Sequence, residues 1–259
     1  MLHRFEVQGT FGGQQRVHSA FGSLLHGALI QQLPEDMQQM LHQTQVRPFA
    51  QHVLPTEGQG FVWHIGVWQD ALADAVAGVV KPGGSLMLTQ KDAAMDIHQV
   101  SHACVSEAAW MAPFMTGAQV HRLYELSFVT PCTHKSEGQY ALFPTPALIV
   151  GSLCRRFSET SNELRLDDED TMDALARHMR ITRYALRSAA YSLEGVRVQG
   201  YVGWITLFIA GPEQLARLAG AVLSFAEYAG VGIKTALGMG GCSVRALPKQ
   251  PAQSAPQEE

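Results

Sequence analysis

The sequence predicts an α+β protein with two consecutive domains, each built on an antiparallel sheet. Within residues 2–90, strand-like and helix-like segments follow one another as strand, helix, strand, strand, helix, strand. The same order begins again at residue 121. It is typical of the ferredoxin-like, or RRM-like, fold, so we expect two tandem domains of that kind. We place them at residues 1–114 and 115–247, followed by a polar, proline-rich tail at 248–259 that is expected to be disordered.

The first domain is predicted from its patterns of apolar residues. Ser19 is the expected N-cap of the first helix, which carries an apolar stripe, and the dipeptide Lys81-Pro82 with two following glycines stops a later helix. Turn residues separate the two central strands. In chain order, the expected elements are a strand over 2–10, helices over 19–33 and 35–43, strands over 46–55 and 60–69, a helix over 70–80 and a strand over 85–90.

The second domain follows a junction expected near residues 112–117. Its last helix has the clearest apolar face in the chain, with Pro212 in the first turn and Gly230 as the C-terminal cap. A long helix is expected at 170–190, because acidic residues at its start and arginines at its end suit the helix dipole. The expected elements are a strand over 121–131, a helix from 145, the helix over 170–190, one or two strands within 196–211, the helix over 212–230 and a strand over 242–247.

The composition is ordinary for a soluble globular protein, with 46% hydrophobic and 16% charged residues. The sequence contains no apolar run long enough to span a bilayer and no signal-peptide pattern at its start, so we expect a cytoplasmic protein without a membrane partner. The net charge of −4 argues against a protein that coats nucleic acid nonspecifically. It does not exclude a local basic track.

The cysteines and histidines do not predict a metal site or a cofactor. Four cysteines lie far apart without a CxxC pair, which argues against a zinc knuckle or a redox motif. His98 and His102 have a spacing that would place them on the same face of a helix, with Cys104 nearby as a third ligand. No fourth ligand is evident, and exposed or packed histidines are the simpler interpretation.

A glycine-rich segment, 230–241, contains five glycines in twelve positions together with Lys234 and Thr235. It is not a Walker A loop, because Ile233 separates Gly232 from the lysine, and it lacks the third glycine of a dinucleotide fingerprint. The glycines follow a helix rather than precede one, so a bound anion would meet bare N–H groups in a concave turn, helped by the lysine. A long ligand lying across the segment suits this position better than a nucleotide.

Residues 200–244 resemble the C-terminal signature of CRISPR-associated endoribonucleases that process precursor CRISPR RNA, members of the RAMP superfamily. Residues 124–157 resemble the start of the same domain. The first half resembles the family more weakly, through 18–33 and 40–54. The resemblance implies a second ferredoxin-like domain whose glycine-rich loop helps hold CRISPR repeat RNA. The residues expected to contact RNA on this basis are Gly230, Gly232, Lys234, Thr235, Gly238, Gly240 and Lys135.

The resemblance also implies metal-free cleavage, in which the ribose 2′-hydroxyl attacks the adjacent phosphate and leaves a cyclic phosphate and a 5′-hydroxyl. Such a reaction needs proton-transfer groups and a cation for the phosphorane. The match makes His42 the first candidate for general acid or base and Arg47 the candidate cation. His26 is the second proton-transfer candidate and His18 its substitute.

Two other functions stay open from the sequence. The chain could be a non-catalytic RAMP subunit that binds CRISPR RNA in an effector complex, or a small-molecule-binding ferredoxin-like protein, which the acidic net charge favours. Arg180, Arg183 and Arg187 suit either a phosphate track or a solvated helix face. The sequence also leaves open whether the protein forms a homodimer or joins other CRISPR effector subunits.

Overall fold

The structure, a computed structural model, describes residues 1–44, 46–161, 164–193 and 195–248. The predicted tail from residue 249 onward lies outside the described residues. The elements in chain order are β1 Leu2–Phe11, α1 Phe21–Gln32, α2 Glu35–Gln43, β2 Phe49–Pro55, β3 Gly60–Val67, α3 Asp70–Val79, β4 Ser85–Leu88, β5 Ala93–Val105, α4 Glu107–Thr116, β6 Leu123–Cys132, β7 His134–Ser136, β8 Gln139–Ala141, α5 Pro146–Thr160, α6 Glu169–Arg177, β9 Met179–Leu193, β10 Val196–Ile209, α7 Glu213–Ser224, α8 Ala226–Ala229 and β11 Cys242–Leu247, with short 3-10 helices at Thr89–Lys91 and Thr235–Leu237.

The first sheet has the strand order β2-β3-β1-β5-β4, and its neighbouring strands are antiparallel. Strands β2, β3, β1 and β5 form the ferredoxin-like core of this sheet, and β4 is an added edge strand. The strand predicted over 85–90 is therefore this edge strand, and the fourth core strand is β5, where the sequence predicts no strand. Most side chains of β5 are exposed, so the strand lacks the continuous buried face that an alternating pattern reveals.

The second sheet has the strand order β11-β6-β10-β9, again antiparallel throughout. The helix predicted over 170–190 is wrong, because α6 ends at Arg177 and β9 begins at Met179. Strand β9 pairs with β10 along its whole length, from Met179 to Leu193. This pairing overrides a local charge pattern that favours a helix. The α+β class and the tandem ferredoxin-like arrangement are nevertheless confirmed.

Several helix ends follow the sequence signals, although Pro212, expected in the first turn of its helix, is the N-cap of α7. Thr145 caps α5 by accepting a hydrogen bond from the Leu148 N–H, and Pro146 opens that helix. Gly230 ends α8 with φ 62°, as its expected role requires. Ser19 is not the N-cap of α1. The residue at that position is Ala20, without a side-chain hydrogen bond.

The two sheets meet through the last part of the chain. Helix α8 lies so close to β3 that a Cβ on Gly66 would be 2.0 Å from the carbonyl oxygen of Tyr228. Gln51 of β2 donates a hydrogen bond to the carbonyl of Ala236, in the 3-10 helix that follows α8. The glycine-rich segment therefore lies at the junction between the two sheets.

A helix, α4, spans the junction that the sequence predicts near 112–117. Trp110 of this helix contacts Phe157 and Phe225 in the core beneath the second sheet. The boundary between residues 114 and 115 stays a prediction. None of the helices in the described ranges has the length and apolar character needed to cross a bilayer.

Candidate functional site

Four residues predicted from the sequence line one cleft of about 610 Å³. They come from four parts of the chain: His26 from α1, His42 from α2, Arg47 from the segment before β2, and Lys234 from the glycine-rich segment. Tyr140 and aliphatic residues of β9 and β10 also line this cleft. The fold thus brings two imidazoles and two cations together.

His26 is held with its ring against Phe49, with centroids 5.7 Å apart and planes within 8° of parallel. Burial, followed by the positive charge of Arg47, lowers the pKa of His26 to about 4. The backbone of Ala236 acts in the opposite direction and raises the pKa of His26. However, no contact of the buried Nδ1 with described residues meets hydrogen-bond geometry. His26 is therefore neutral near pH 7 and can accept a proton.

His42 lies in the last turn of α2 and is exposed. Its charge contributes to lowering the pKa of His26, which places the two rings within electrostatic reach. Thr44 ends α2 and its N–H donates to the Met40 carbonyl. His42 is thus exposed, whereas His26 is half-buried.

A second cleft, of about 460 Å³, joins the first, since Arg47 and Lys234 line both. It adds three cations, Lys135 of β7 and Arg155 and Arg156 of α5. No residue lining either cleft in the described ranges is Asp or Glu, and within those ranges none of the five cations forms an ion pair. A protein with a net charge of −4 therefore presents a continuous basic surface.

The N–H groups of all five glycines in the glycine-rich segment are hydrogen-bonded within the protein, which corrects the expectation that these glycines present bare amides. Seven of these bonds are Gly230 to Ala226 O, Val231 to Gly240 O, Gly232 to Ser152 Oγ, Ile233 to Thr133 O, Gly238 to Thr235 O, Gly240 to Pro131 O and Gly241 to Thr130 Oγ1. The segment is mostly buried, and buried amides require partners. The four predicted RNA-binding glycines therefore cannot donate to a phosphate without losing these bonds.

The glycines are explained by close packing. A Cβ on Gly232 would be 2.2 Å from the Thr133 carbonyl oxygen, and one on Gly240 would be 1.9 Å from that of Val231. Gly238 has φ 98° and lies against the hydroxyl of Tyr191. RNA contact by these glycines stays a prediction, and it would depend on the shape of the segment.

Lys234 is the tip of the segment. Within 230–241, all of which the structure describes, it is the only exposed residue, and its φ of 59° is left-handed. Its carbonyl accepts hydrogen bonds from the N–H groups of Leu237 and Met239, which fixes the backbone behind the side chain. Thr235 is only 5% exposed, so the structure places it in the packing of the segment rather than at the surface.

Arg156, which the sequence analysis missed, anchors the segment from behind. Its guanidinium donates to the carbonyl of Gly232 and to Ser152, and burial lowers its pKa to about 10. Beneath it, His134 Nε2 lies 3.0 Å from the Tyr201 hydroxyl. The signal that could have revealed Arg156 is the pair of adjacent arginines on a predicted helix, within the stretch that resembles the family.

Comparison with known proteins relates the chain to one family. The family model described as CRISPR-associated endoribonuclease Cas6 matches residues 126–242. A curated protein of that name from Streptococcus thermophilus is 29% identical over 220 residues, covering 83% of this chain and 88% of its own length. The chain is similar to Cas6 endoribonucleases over most of its length. A Cas6 of the same name from Mycobacterium tuberculosis is 24% identical over 230 residues, covering 88% and 73%.

Solved Cas6 structures share the fold. A Cas6 product complex superposes with a TM-score of 0.75 at 22% identity, over 95% of this chain and all of the other. A Thermus thermophilus Cas6 superposes with a TM-score of 0.68 at 19% identity, over 95% and 98%. The resemblance to Cas6 predicted from the sequence is confirmed by these comparisons.

The other predicted histidines and arginines lie away from the two clefts. His18 packs edge-on against Phe21 and lines neither cleft. His98 and His102 lie on β5, not on a helix, and contact Thr10 and His3. No group of three or more metal-ligating side chains occurs among the described residues. The arginines predicted to line a helix face, Arg180, Arg183 and Arg187, are exposed on β9.

Proposed function

We propose that the chain is a metal-independent endoribonuclease that cuts precursor CRISPR RNA within its repeats and yields mature guide RNAs. One observation carries this proposal. The cleft with the two imidazoles and the cleft with the additional cations share Arg47 and Lys234, so a polyanion bound in one passes the proton-transfer groups in the other. Cas6 relatives named as endoribonucleases support RNA as that polyanion.

The chemistry assigns distinct roles to the two histidines. His26 takes the proton of the ribose 2′-hydroxyl as O2′ bonds to phosphorus, and His42 gives a proton to O5′ as the P–O5′ bond breaks. The pKa of His26, about 4, leaves it neutral before the reaction. Negative charge on the forming phosphorane raises this pKa as the proton arrives. The products are a 2′,3′-cyclic phosphate and a 5′-hydroxyl.

The cations stabilise the charge of the phosphorane and hold the strand. Arg47 and Lys234 border both clefts, and a guanidinium can bind two phosphate oxygens at once. Lys135 and Arg155 bind other phosphates of the RNA. Arg156 contributes its charge from within the protein, because its donors are engaged with the glycine-rich segment.

The lining of the clefts favours chemistry without a metal, since Mg²⁺ in nuclease sites is bound through carboxylates and the described lining residues include none. The test is cleavage of cognate repeat RNA in excess EDTA, with product ends identified by mass spectrometry. We expect cleavage and a cyclic phosphate. A requirement for a divalent ion would refute the mechanism, and RNA that is bound but never cut would favour the non-catalytic RAMP subunit.

A cytoplasmic site of action belongs to the same proposal, because precursor transcripts are made there. Absence of any RNA affinity, or affinity that does not fall as salt is added, would favour the small-molecule alternative. Association with a second copy of the chain or with other CRISPR subunits stays a prediction.

A further inference from the structure

The β7–β8 hairpin places a cation and an aromatic ring side by side. Its two turn residues, Glu137 and Gly138, have φ of 50° and 80°, the backbone of a tight two-residue hairpin turn. Lys135 and Tyr140 are directly opposite in the pairing register. Side chains of directly opposite residues project to the same face of an antiparallel pair. The hairpin therefore presents an ammonium group and a phenol ring on one surface.

Among the described residues, Tyr140 has no partner for its ring or its hydroxyl. The residue is 47% exposed and lines the cleft that contains His26 and His42. Within the described ranges, its hydroxyl makes no hydrogen bond and its ring packs on no other ring, whereas the exposed Tyr184 contacts Phe143. A free aromatic face in a cleft is available to a flat ligand.

The surroundings of Tyr140 suit a nucleobase. The same cleft is lined by aliphatic residues of the β9–β10 pair, including Val196, which is 63% exposed. Cations occupy the part of the lining shared with the second cleft. A nucleotide complements both parts of this lining, because its base has an apolar face and its phosphate is an anion.

We propose that Tyr140 stacks on the base of a nucleotide beside the scissile phosphate while Lys135 binds a phosphate of the same nucleotide. This inference rests on the proposed function. Tyr140 is then a positioning residue, because it fixes the strand relative to His26 and His42 without joining the proton transfers. The contact requires an unpaired base, so a single-stranded nucleotide must adjoin the cleavage position.

The experiment measures the binding of repeat RNA with a 2′-deoxyribose at the cleavage position, which prevents cutting. Tyr140→Ala should weaken binding about 5- to 150-fold, the range for loss of one stacked base. Tyr140→Phe keeps the ring and should bind like the wild type. Tyr184→Ala is the matched control, since that tyrosine is 60% exposed but lies outside the cleft, and its affinity should be unchanged.

Abasic substitutions, made one nucleotide at a time, identify the stacked base. At one position next to the cleavage site, the abasic RNA should weaken wild-type binding by the same factor and Tyr140→Ala binding no further. Equal affinity of Tyr140→Ala and the wild type, or additive losses at every position, would overturn the stacking contact alone. Loss of affinity in Tyr140→Phe would overturn it in favour of a role for the hydroxyl. A wild-type protein that binds no repeat RNA would overturn the proposed function as well.

Discussion

Arg156 donates a hydrogen bond to the carbonyl oxygen of Gly232, across 76 residues of sequence. This bond ties α5 to the glycine-rich segment, two residues before the exposed Lys234. The N–H of Gly232 in turn donates to Ser152 Oγ, one turn before Arg156 on the same helix. A half-buried arginine thus orders the backbone that presents a surface lysine to the cleft.

Replacing Arg156 should disturb both stability and RNA binding. Arg156→Met leaves the Gly232 carbonyl without this donor, so we expect a loss of about 1–3 kcal/mol in the free energy of unfolding. Repeat RNA should also bind less tightly, because Lys234 is no longer held in place. Urea unfolding and a binding titration measure the two effects. Arg155→Ala is the control for stability, since its side chain is exposed, and an equal loss in that variant would contradict the anchoring role.

Replacing a glycine of the segment should lower the stability of the fold. Gly232→Ala forces a Cβ to within 2.2 Å of the Thr133 carbonyl oxygen at a φ of 82°. The free energy of unfolding should fall by more than about 1 kcal/mol. Gly78→Ala is the control, because nothing lies within 4 Å of its Cβ on α3, and it should raise stability by about 0.5–1 kcal/mol. A Gly232→Ala protein as stable as the wild type would show that the segment tolerates side chains.

Cleavage rates should distinguish the two histidines of the cleft, His26 and His42, from His18. His42→Ala should slow single-turnover cleavage about 10²–10⁴-fold, the usual range for a lost acid or base, and His26→Ala should act similarly. His18→Ala should cleave at the wild-type rate, because His18 lines neither cleft. Full activity of His42→Ala would remove that residue from the mechanism.

Stability should fall as the solution is acidified below about pH 6.5. Burial lowers the pKa of His26 and His134 to about 4 and that of His52 to about 3. Because the free side chain has a pKa of 6.5, the unfolded chain takes up these protons first. Each histidine then costs at most about 1.4 kcal/mol per pH unit between the unfolded and folded pKa values.

Urea unfolding at a series of pH values from 7.5 to 5 checks this dependence. His134→Gln should flatten the slope, since it removes one histidine whose pKa differs between the folded and unfolded chains. An unchanged slope would mean that His134 is protonated in the folded protein. Activity near neutral pH should not be limited by protonation of His26, because its pKa of about 4 lies well below that range.

Much of the fold and part of the candidate site follow from local sequence patterns. The helix over 213–224 shows its apolar face in the periodicity alone, and Gly230 marks the helix end because glycine adopts a positive φ at little cost. Resemblance to the family adds His26, His42, Arg47 and Lys234, which line one cleft. Other features depended on distant partners that no local pattern contains.

Strand β9 carries helix-like charges but forms a strand because β10 supplies its hydrogen bonds. The low pKa of His26 depends on Phe49 and Arg47, brought close by folding. The glycine-rich segment illustrates the difference most clearly. Its sequence by itself determined that the main chain would have a close neighbour, since its five glycines carry no side chains. Only the tertiary structure decided that this neighbour is the protein itself, because the N–H groups of Gly232, Ile233, Gly240 and Gly241 find acceptors about 80 to 110 positions earlier in the chain.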